Sequence, residues 1–368
     1  MKVLADKHLY ALEQLVPNDA ELKTYDPESG FPEGVTNYDA LLIRTVTKLN
    51  SETLPKSGNL KFVGSATAGF DHVDINHLKS LGIEFARSEG CNANAVAEYM
   101  LTALYRWGQL RDEQIEDLKI GVIGCGNTGG SLIGYLRKLG IEYVPYDPPK
   151  ADREEKFTSA ELHELLSCDV LTFHTPLTNN GVHSTYHICN EKWLENSFKL
   201  IINASRGGVV DEKALLESKR LGLVRDFILD VWENEPLFSG KIADQALIAT
   251  PHIAGYSREA KWKASEIVVR TMVEFFGEPY SPPNQNELPE NSSLADPERL
   301  TFADFLWKNH KIDFYDQELR KLIGLSADEK GQKFADLRSN TSTRFEFRTV
   351  IGQYSNRDKL PEEIKIFG

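Results

Sequence analysis

The sequence predicts an α/β fold built on doubly wound parallel sheets, and three observations lead to this prediction. Short apolar runs alternate with helical patterns along most of the chain, which is the order that strands and crossover helices take in such sheets. The runs are short and largely apolar, as strands buried on both faces are. The length of 368 residues and the apolar share of 41% suit two or three domains with packed cores.

A first series of strands is expected near the N-terminus. Four short runs carry the pattern, and they are Lys2–Ala5, Ala40–Ile43, Lys61–Gly64 and Ile83–Ala86. Polar or helical pieces separate these runs, so together they predict a first, smaller α/β unit. A long helical pattern at Ala95–Trp107 then leads into the next series.

A second and more regular series of strands occupies the middle of the chain. Its members are Lys119–Ile123, Glu142–Tyr146, Asp169–Phe173, Lys199–Asn203, Phe227–Val231 and Ala246–Ala249. Helical segments lie between most of them, for example Ser131–Leu139 and Glu212–Leu221. This repetition predicts a doubly wound sheet. A long helix at Arg258–Phe276 follows, and it could return the chain to the first unit.

The C-terminal part of the chain is predicted to be a small separate piece. Ser281–Glu298 is rich in Pro, Asn, Ser and Glu and is typical of a linker. Beyond it we expect helices near Tyr315–Ile323 and Ala327–Leu337 and a strand at Arg344–Ile351. So few residues bury only a thin core, so we expect this piece to dock on another domain or on a second subunit.

The composition excludes several classes of protein. The net charge is −13 and no cluster of Lys and Arg is visible, which argues against a nucleic-acid partner. The four cysteines (Cys91, Cys125, Cys168 and Cys189) form no C-x-x-C pair and no zinc-site spacing, so no metal is expected. The N-terminus lacks the apolar run of a signal peptide, and no stretch is long and apolar enough to span a membrane. These features predict a cytoplasmic protein.

A glycine-rich motif follows the first strand of the second series. It is G-x-G-x-x-G, and its residues are Gly124, Cys125, Gly126, Asn127, Thr128 and Gly129. An apolar strand precedes it and an amphipathic helix follows, which is the context of a dinucleotide site in a Rossmann domain. Asp147 ends the next strand about twenty residues on, where a carboxylate binds the ribose hydroxyls and disfavours a 2′-phosphate. The sequence therefore predicts NAD as cofactor.

Three polar residues follow strands in the second half of this unit. Arg206 comes after Lys199–Asn203, Glu235 after the strand at Phe227–Val231, and His252 after Ala246–Ala249. Ligands bind outside the carboxyl ends of such strands, so we expect these side chains to converge there. Arg matches a carboxylate, His takes a hydroxyl proton near neutral pH, and Glu favours the charged imidazole. The set suits oxidation of a hydroxy acid.

Five strings of this region resemble the D-isomer-specific 2-hydroxyacid dehydrogenase family. They are GVIGCGNTG, HTPLT, NASRGGVVDEKAL, LDVWENEP and TPHIAGYS, in the order that the family has them. Within the family, LLIRTVTKLN, FVGSATAGFDHVD, GCNANAVAEY, YDPP and LRKLIG resemble the branch that oxidises a phosphorylated four-carbon hydroxy acid. The resemblance implies NAD-dependent oxidation of 4-phospho-D-erythronate to (R)-3-hydroxy-2-oxo-4-phosphooxybutanoate, a step of pyridoxal 5′-phosphate biosynthesis.

The resemblance also implies roles for single residues. Arg206 and Glu235 would act in the active site, with His252 as the proton donor and acceptor. Besides the glycine motif, the NAD site would include Asp147, Thr175, Ala204, Ser205, Arg206, Asp230 and Gly255. The substrate would contact Thr45, Thr67 and Tyr256.

Pattern and resemblance together divide the chain into three domains. A flavodoxin-like α/β substrate domain would comprise residues 1–93 and 257–280, and a Rossmann NAD domain residues 94–256. After a linker at 281–298, an α+β domain at 299–368 would join two copies into a homodimer.

The substrate that the resemblance implies carries a phosphate as well as a carboxylate, so a second cationic site would be needed besides Arg206. Arg44 and Lys48 flank Thr45 and are the nearest candidates, although Arg44 would also be explained as a brace of its own loop. Two other readings stay open. One is another enzyme of the family, acting on phosphoglycerate or on hydroxypyruvate and glyoxylate. The other is a protein that senses NADH in the manner of a transcriptional corepressor.

Overall fold

The structure is a computed structural model that describes residues 1–283, 300–339 and 344–368. The strands are β1 (Lys2–Asp6), β2 (Glu21–Tyr25), β3 (Ala40–Ile43), β4 (Phe62–Ser65), β5 (Glu84–Arg87), β6 (Lys119–Ile123), β7 (Glu142–Tyr146), β8 (Val170–Phe173), β9 (Phe198–Asn203), β10 (Val224–Leu229) and β11 (Ile248–Ala249). The α-helices are α1 (Leu12–Leu15), α2 (Ile75–Ser80), α3 (Ala93–Arg111), α4 (Asn127–Lys138), α5 (Pro148–Ala151), α6 (Leu162–Leu165), α7 (Glu191–Leu194), α8 (Glu212–Arg220), α9 (Gly240–Gln245), α10 (Arg258–Phe275), α11 (Phe302–His310), α12 (Ile312–Arg320), α13 (Ala327–Ser339), α14 (Phe347–Gly352) and α15 (Glu362–Lys365).

The chain folds into two compact units. The first contains Met1–Asn92 and the helix α10, and the second contains Ala93–Ser257 and the described residues from Leu300 to the C-terminus. Among the described residues, no helix is long and apolar enough to cross a membrane.

The first unit contains a five-stranded parallel sheet in the order β2-β1-β3-β4-β5. This is the flavodoxin-like order, in which the chain changes direction between β1 and β3. The sequence did not predict β2, because its residues are mostly exposed and lack an apolar run. Helix α10 packs on this unit through buried Val268, Val269 and Met272, and Ser88 donates to the carbonyl oxygen of Ala264 (2.5 Å).

The second unit contains a six-stranded parallel sheet in the order β11-β10-β9-β8-β6-β7. The chain first adds β7 on one side of β6 and then crosses to β8 on the other, so the change of direction falls between β6 and β8. Among the described residues, no further strand pairs with the outer edge of β7. The carbonyl oxygen of Pro145, in β7, instead accepts from Ala160 N–H (2.8 Å). Strands β6, β8, β9 and β10 are almost wholly buried, as predicted for a sheet covered on both faces.

The described C-terminal residues are helical and belong to the second unit. The strand predicted at Arg344–Ile351 is wrong, because α14 occupies most of that stretch. Its buried residues are Phe347, Val350 and Ile351, three and four positions apart, which is a helical spacing that so short a segment does not reveal. Helices alone are therefore found where an α+β fold was expected, within the described residues. Most of the predicted linker lies outside the described residues, since positions 284–299 are not described.

Candidate active site

The glycine motif forms the tight turn between β6 and α4. Gly124 has a φ of +85°, and a Cβ atom there would lie 2.8 Å from the backbone of His174. A Cβ on Gly129 would lie 1.9 Å from the carbonyl oxygen of Gly124, so only glycine lets the helix approach the strand this closely. Gly126 is the N-cap of α4, with nothing within 4 Å of the position a Cβ would take. Its surroundings leave room for a pyrophosphate to approach the backbone.

Asp147 follows β7 and is tied to this turn. One carboxylate oxygen accepts from Cys125 N–H (2.7 Å), and the other accepts from Lys150 N–H (3.0 Å) as the N-cap of α5. The Lys150 ammonium in turn donates to the carbonyl oxygen of Cys125 (2.7 Å). The carboxylate is therefore held at the end of the second strand beside the glycine turn, where a ribose is expected to bind.

Two polar groups after β8 lack hydrogen-bond partners. The hydroxyl of Thr175 and the Nδ1 atom of His174 are buried, and neither has a partner among the described residues. His174 Nε2 lies 3.0 Å from the Thr172 hydroxyl, and burial lowers the pKa of His174 to about 3, so the ring is neutral. Buried polar atoms without partners are costly, so a bound ligand with matching groups would stabilise them. These atoms and the glycine turn together fit a dinucleotide.

His252 and Glu235 form a hydrogen-bonded pair at the carboxyl edge of the same sheet. His252 Nδ1 lies 2.8 Å from one carboxylate oxygen of Glu235, and Trp232 N–H donates to the other oxygen (2.9 Å). Burial by itself would raise the pKa of Glu235, but the charge and hydrogen bond of His252 outweigh it, so the pKa is lowered. The carboxylate therefore stays charged and fixes the orientation of the imidazole.

Asp230 holds the loop that carries His252. Its side chain is fully buried and accepts from the Thr250 hydroxyl (2.6 Å), Ile253 N–H (2.8 Å) and Ala254 N–H (2.9 Å). Its backbone carbonyl accepts from His252 N–H (2.7 Å). Burial raises the pKa of Asp230 despite these bonds. The family resemblance implied that Asp230 belongs to the NAD site, and the structure adds that its carboxylate fastens this loop.

Arg206 lies in a loop that packs closely on the Glu235 loop. Asn203, at the end of β9, accepts from the backbone N–H and the hydroxyl of Ser205 (3.0 and 2.8 Å), and its amide donates to the carbonyl oxygen of Arg206 (3.0 Å). A Cβ on Gly207 would lie 1.8 Å from the carbonyl oxygen of Trp232, so glycine is required for the two loops to touch. The sequence did not single out Asn203, although its place before Arg206 at a strand end is a signal of its role.

The sequence also did not predict a cluster of one imidazole and several carboxylates beside these loops. His187 Nε2 lies 2.9 Å from Glu233 and its Nδ1 lies 3.4 Å from Asp211, while Glu233 N–H donates to Glu212 (2.8 Å). The donor atoms of His187, Asp211 and Glu233 lie within 4.8 Å of one another, a spacing compatible with a metal ion. The two ring nitrogens face different carboxylates, however, so contacts among the side chains themselves already account for the arrangement. Its members are far apart in sequence, and no motif joins them.

The substrate residues expected in the first unit follow its strands. Thr45 and Lys48 are exposed after β3, and the Arg44 guanidinium donates to the buried carboxylate of Asp6 (2.8 and 3.3 Å). The Thr67 hydroxyl, after β4, donates to the carbonyl oxygen of Gly69 (2.8 Å).

The remaining predicted residues lie in the second unit. The Arg338 guanidinium lies 5.9 Å from the centre of the Tyr256 ring. Ala204 lies in the loop of Arg206, and Gly255 lies in the loop of His252.

Comparison with known proteins decides the family. The model of the NAD-binding domain of D-isomer specific 2-hydroxyacid dehydrogenases matches residues 93–254. The chain is 38% identical over 354 residues to erythronate-4-phosphate dehydrogenase of Proteus mirabilis, covering 93% of this chain and 94% of that one. It is 36% identical over 367 residues to the enzyme of that name from Photorhabdus laumondii, covering 97% and 96%. The chain belongs to the D-isomer specific 2-hydroxyacid dehydrogenase family.

Solved structures of D-isomer specific 2-hydroxyacid dehydrogenases and related enzymes share its fold. D-lactate dehydrogenase of Aquifex aeolicus, crystallised with NAD and lactic acid, is 25% identical with a TM-score of 0.59, covering 75% of this chain and 96% of that one. The NAD complex of formate dehydrogenase from Staphylococcus aureus is 21% identical with a TM-score of 0.59, covering 76% and 97%. The predicted α/β fold, family and NAD-binding domain are confirmed.

Proposed function

We propose that this dehydrogenase oxidises 4-phospho-D-erythronate to (R)-3-hydroxy-2-oxo-4-phosphooxybutanoate with NAD, in the biosynthesis of pyridoxal 5′-phosphate. The pair formed by His252 and Glu235 at the carboxyl edge of the NAD-binding sheet carries the proposal, because oxidation of an alcohol needs an oriented base. The names of relatives that match over nearly the whole chain support this substrate.

His252 is the general base of the proposed reaction. Its Nδ1 atom faces Glu235, so Nε2 is the atom that takes the proton of the 2-hydroxyl. Glu235, whose lowered pKa keeps it charged, stabilises the imidazolium that forms. Arg206 binds the substrate carboxylate as a planar fork and orients the carbinol carbon. Bound NAD would supply the acceptor for the hydride of that carbon, which would leave the substrate as a ketone and its hydroxyl proton on His252.

The NAD site is proposed to use both the glycine motif and the loops after β8, β9, β10 and β11. Its residues are Gly124, Gly126, Asn127, Thr128, Gly129, Asp147, Thr175, Ala204, Ser205, Arg206, Asp230 and Gly255. The unpartnered Thr175 hydroxyl and the closeness of Asp147 to Cys125 support this assignment.

The proposed substrate contacts outside the catalytic set are Thr45, Thr67 and Tyr256, with Arg44 and Lys48 as candidates for the phosphate.

We also propose that the protein is a homodimer in the cytoplasm. All four cysteines are unpaired and buried, which suits a reducing compartment. On the described C-terminal helices, a surface cavity includes Phe314, whose side chain is half exposed, and is flanked by Lys321 and Asp336. Apolar and oppositely charged groups side by side suit a two-fold contact with a second copy.

A substrate screen that follows NADH formation tests the proposal. We expect 4-phospho-D-erythronate to be oxidised far faster than 3-phosphoglycerate, D-lactate or D-glycerate. His252→Gln should lower kcat by about 100- to 10,000-fold while NADH still binds. Preference for 3-phosphoglycerate would assign the chain to another enzyme of the family. Tight NADH binding without turnover of any hydroxy acid would favour a sensor instead.

A further inference from the structure

The order of the first sheet creates a crevice between β1 and β3. The chain leaves β1 toward β2 on one side and returns to β3 on the other, so the segments that follow these two strands diverge. In open α/β sheets, ligands bind outside the carboxyl ends of the strands at such a point. Here β1 ends at Asp6, and β3 ends at Ile43 directly before Arg44.

Asp6 fixes the guanidinium of Arg44 at this crevice. Arg44 Nε donates to one carboxylate oxygen (2.8 Å) and Nη2 to the other (3.3 Å), which also accepts from His8 N–H (2.9 Å). The Asp6 side chain is fully buried, whereas that of Arg44 is 31% exposed. Asp6 engages only two of the five guanidinium N–H groups, so the pair presents a pre-oriented cation at the sheet edge.

The beginning of α10 lies beside the same edge. Arg258 Nε donates to the Tyr10 hydroxyl (3.2 Å), and the Tyr10 ring meets the Trp262 ring edge to face at 6.4 Å between centroids. Lys261 stands three residues after Arg258 and directly before Trp262, so it lies on the face of α10 turned toward the segment that follows β1. Its side chain is half-buried, whereas Lys263 is exposed.

Lys261 lies close enough to Arg44 for their two positive charges to interact. Burial and the positive charge of Arg44 both lower the pKa of Lys261. Arg258 and Lys261 lie in the first turn of α10, where positive charges oppose the helix dipole, so helix stability does not explain them. A doubly charged anion at this edge would interact favourably both with Arg44 and with the first turn of α10.

We propose that Arg44 and Lys261 bind the phosphate group of the substrate at the β1–β3 crevice, an inference that rests on the proposed function for the identity of the phosphoester. The guanidinium fork suits two phosphate oxygens, and the ammonium adds a point charge from a second element. Lys261 thereby takes the place that the sequence suggested for Lys48, which is exposed after β3.

Titration of the full chain with inorganic phosphate, followed by calorimetry, tests the site without catalysis. Lys261→Met keeps the apolar stem and removes the charge, and Lys263→Met is the matched change on the same helix. We expect Lys261→Met and Arg44→Ala each to weaken phosphate binding about 10- to 100-fold, the range for a charged hydrogen bond. Lys261→Arg should restore most of the affinity, and Lys263→Met should behave like the wild type.

Kinetics with phosphorylated and unphosphorylated substrates separate this inference from the proposed function. Lys261→Met should raise the KM for 4-phospho-D-erythronate about 10- to 100-fold with little change in kcat. Its kcat/KM for D-erythronate should match the wild type. If the wild type oxidises neither compound, the proposed function fails, and the phosphate titration still decides the site. Wild-type phosphate binding in Lys261→Met of unchanged Tm, or a loss confined to Lys48→Ala, would overturn the inference.

Discussion

Replacing Glu235 with glutamine keeps the size of the side chain and removes the negative charge that faces His252. The carboxylate accepts from Trp232 N–H through one oxygen and lies 2.8 Å from His252 Nδ1 through the other. An amide has only one oxygen. If that oxygen stays with Trp232, the NH₂ group turns toward Nδ1 and favours the tautomer whose proton is on Nε2. That is the nitrogen that must accept the substrate proton.

The size of the effect follows from the geometry of the pair. At 2.8 Å, two unit charges attract by roughly 6 kcal/mol at an effective dielectric constant of about 20. The side chains are 29% and 21% exposed, and desolvation opposes much of that attraction, so the net value of such a charged hydrogen bond is about 2 kcal/mol. This free energy stabilises the imidazolium formed in the transition state. Its loss should lower kcat by about 30-fold, and the wrong tautomer adds to that loss.

Steady-state kinetics with 4-phospho-D-erythronate measures this effect, with Glu233→Gln as the matched change in the same loop. Glu235→Gln should lower kcat at nearly constant KM, and Glu233→Gln, which faces His187, should stay within about threefold of the wild type. The pKa of Glu235 is lowered, so its carboxylate is charged throughout the range above the ordinary carboxyl pKa and is protonated only as pH falls through the lowered value. The deficit should therefore be constant from about pH 6 to pH 8. A kcat within threefold of the wild type for Glu235→Gln, or an equal loss in Glu233→Gln, would refute the reasoning.

Two further predictions concern the cofactor turn and a buried carboxyl group. Gly129→Ala should abolish NADH binding, measured by fluorescence, because the new Cβ would lie 1.9 Å from the carbonyl oxygen of Gly124; Gly134→Ala in the same helix has nothing within 4 Å and should bind normally. Burial, with neighbouring carboxylates, raises the pKa of Glu212 to about 7. The contribution of Glu212 to the free energy of unfolding is therefore fully present below its ordinary pKa and is lost as pH rises through 7. In urea titrations, the unfolding free energy of Glu212→Gln minus that of the wild type should therefore rise by about 3 kcal/mol between pH 4.5 and pH 8. A pH-independent difference would contradict this.

The elements that the sequence predicts well are those whose pattern is set by burial. Strands such as β6 and β9 are largely apolar because helices cover both faces of their sheet, and the alternation with helices follows from the parallel connections. Strand β2 was missed because its side chains are mostly exposed, so its pairing with β1 leaves no mark on its composition. The stretch containing α14 was misassigned for a related reason, since about one and a half turns carry too little periodicity to separate a helix from a strand.

For the site, sequence reasoning found the residues that stand in local motifs and missed those joined only by the fold. The structure places Arg206, Glu235 and His252 in the loops expected from their strands and brings the last two together. The groups around such residues are distant in sequence. Asp6, which fixes Arg44, lies 38 positions away, and Lys261, whose pKa the charge of Arg44 lowers, lies on the returning helix α10. No spacing rule links positions that only a sheet and a returning helix bring together, so these contacts needed coordinates.

The proposed base is held in an unfavourable backbone conformation, and the structure shows what compensates for it. His252 has a φ of +57°, which costs a non-glycine residue about 1 kcal/mol or more. Asp230 offsets this cost because its carbonyl oxygen binds His252 N–H and its carboxylate binds the next two backbone N–H groups. Relaxing the backbone of His252 to negative φ would break bonds to a fully buried carboxylate, which is more costly than the strain itself. The ring is thus oriented from two sides, by Asp230 through the backbone and by Glu235 through Nδ1, before any substrate binds.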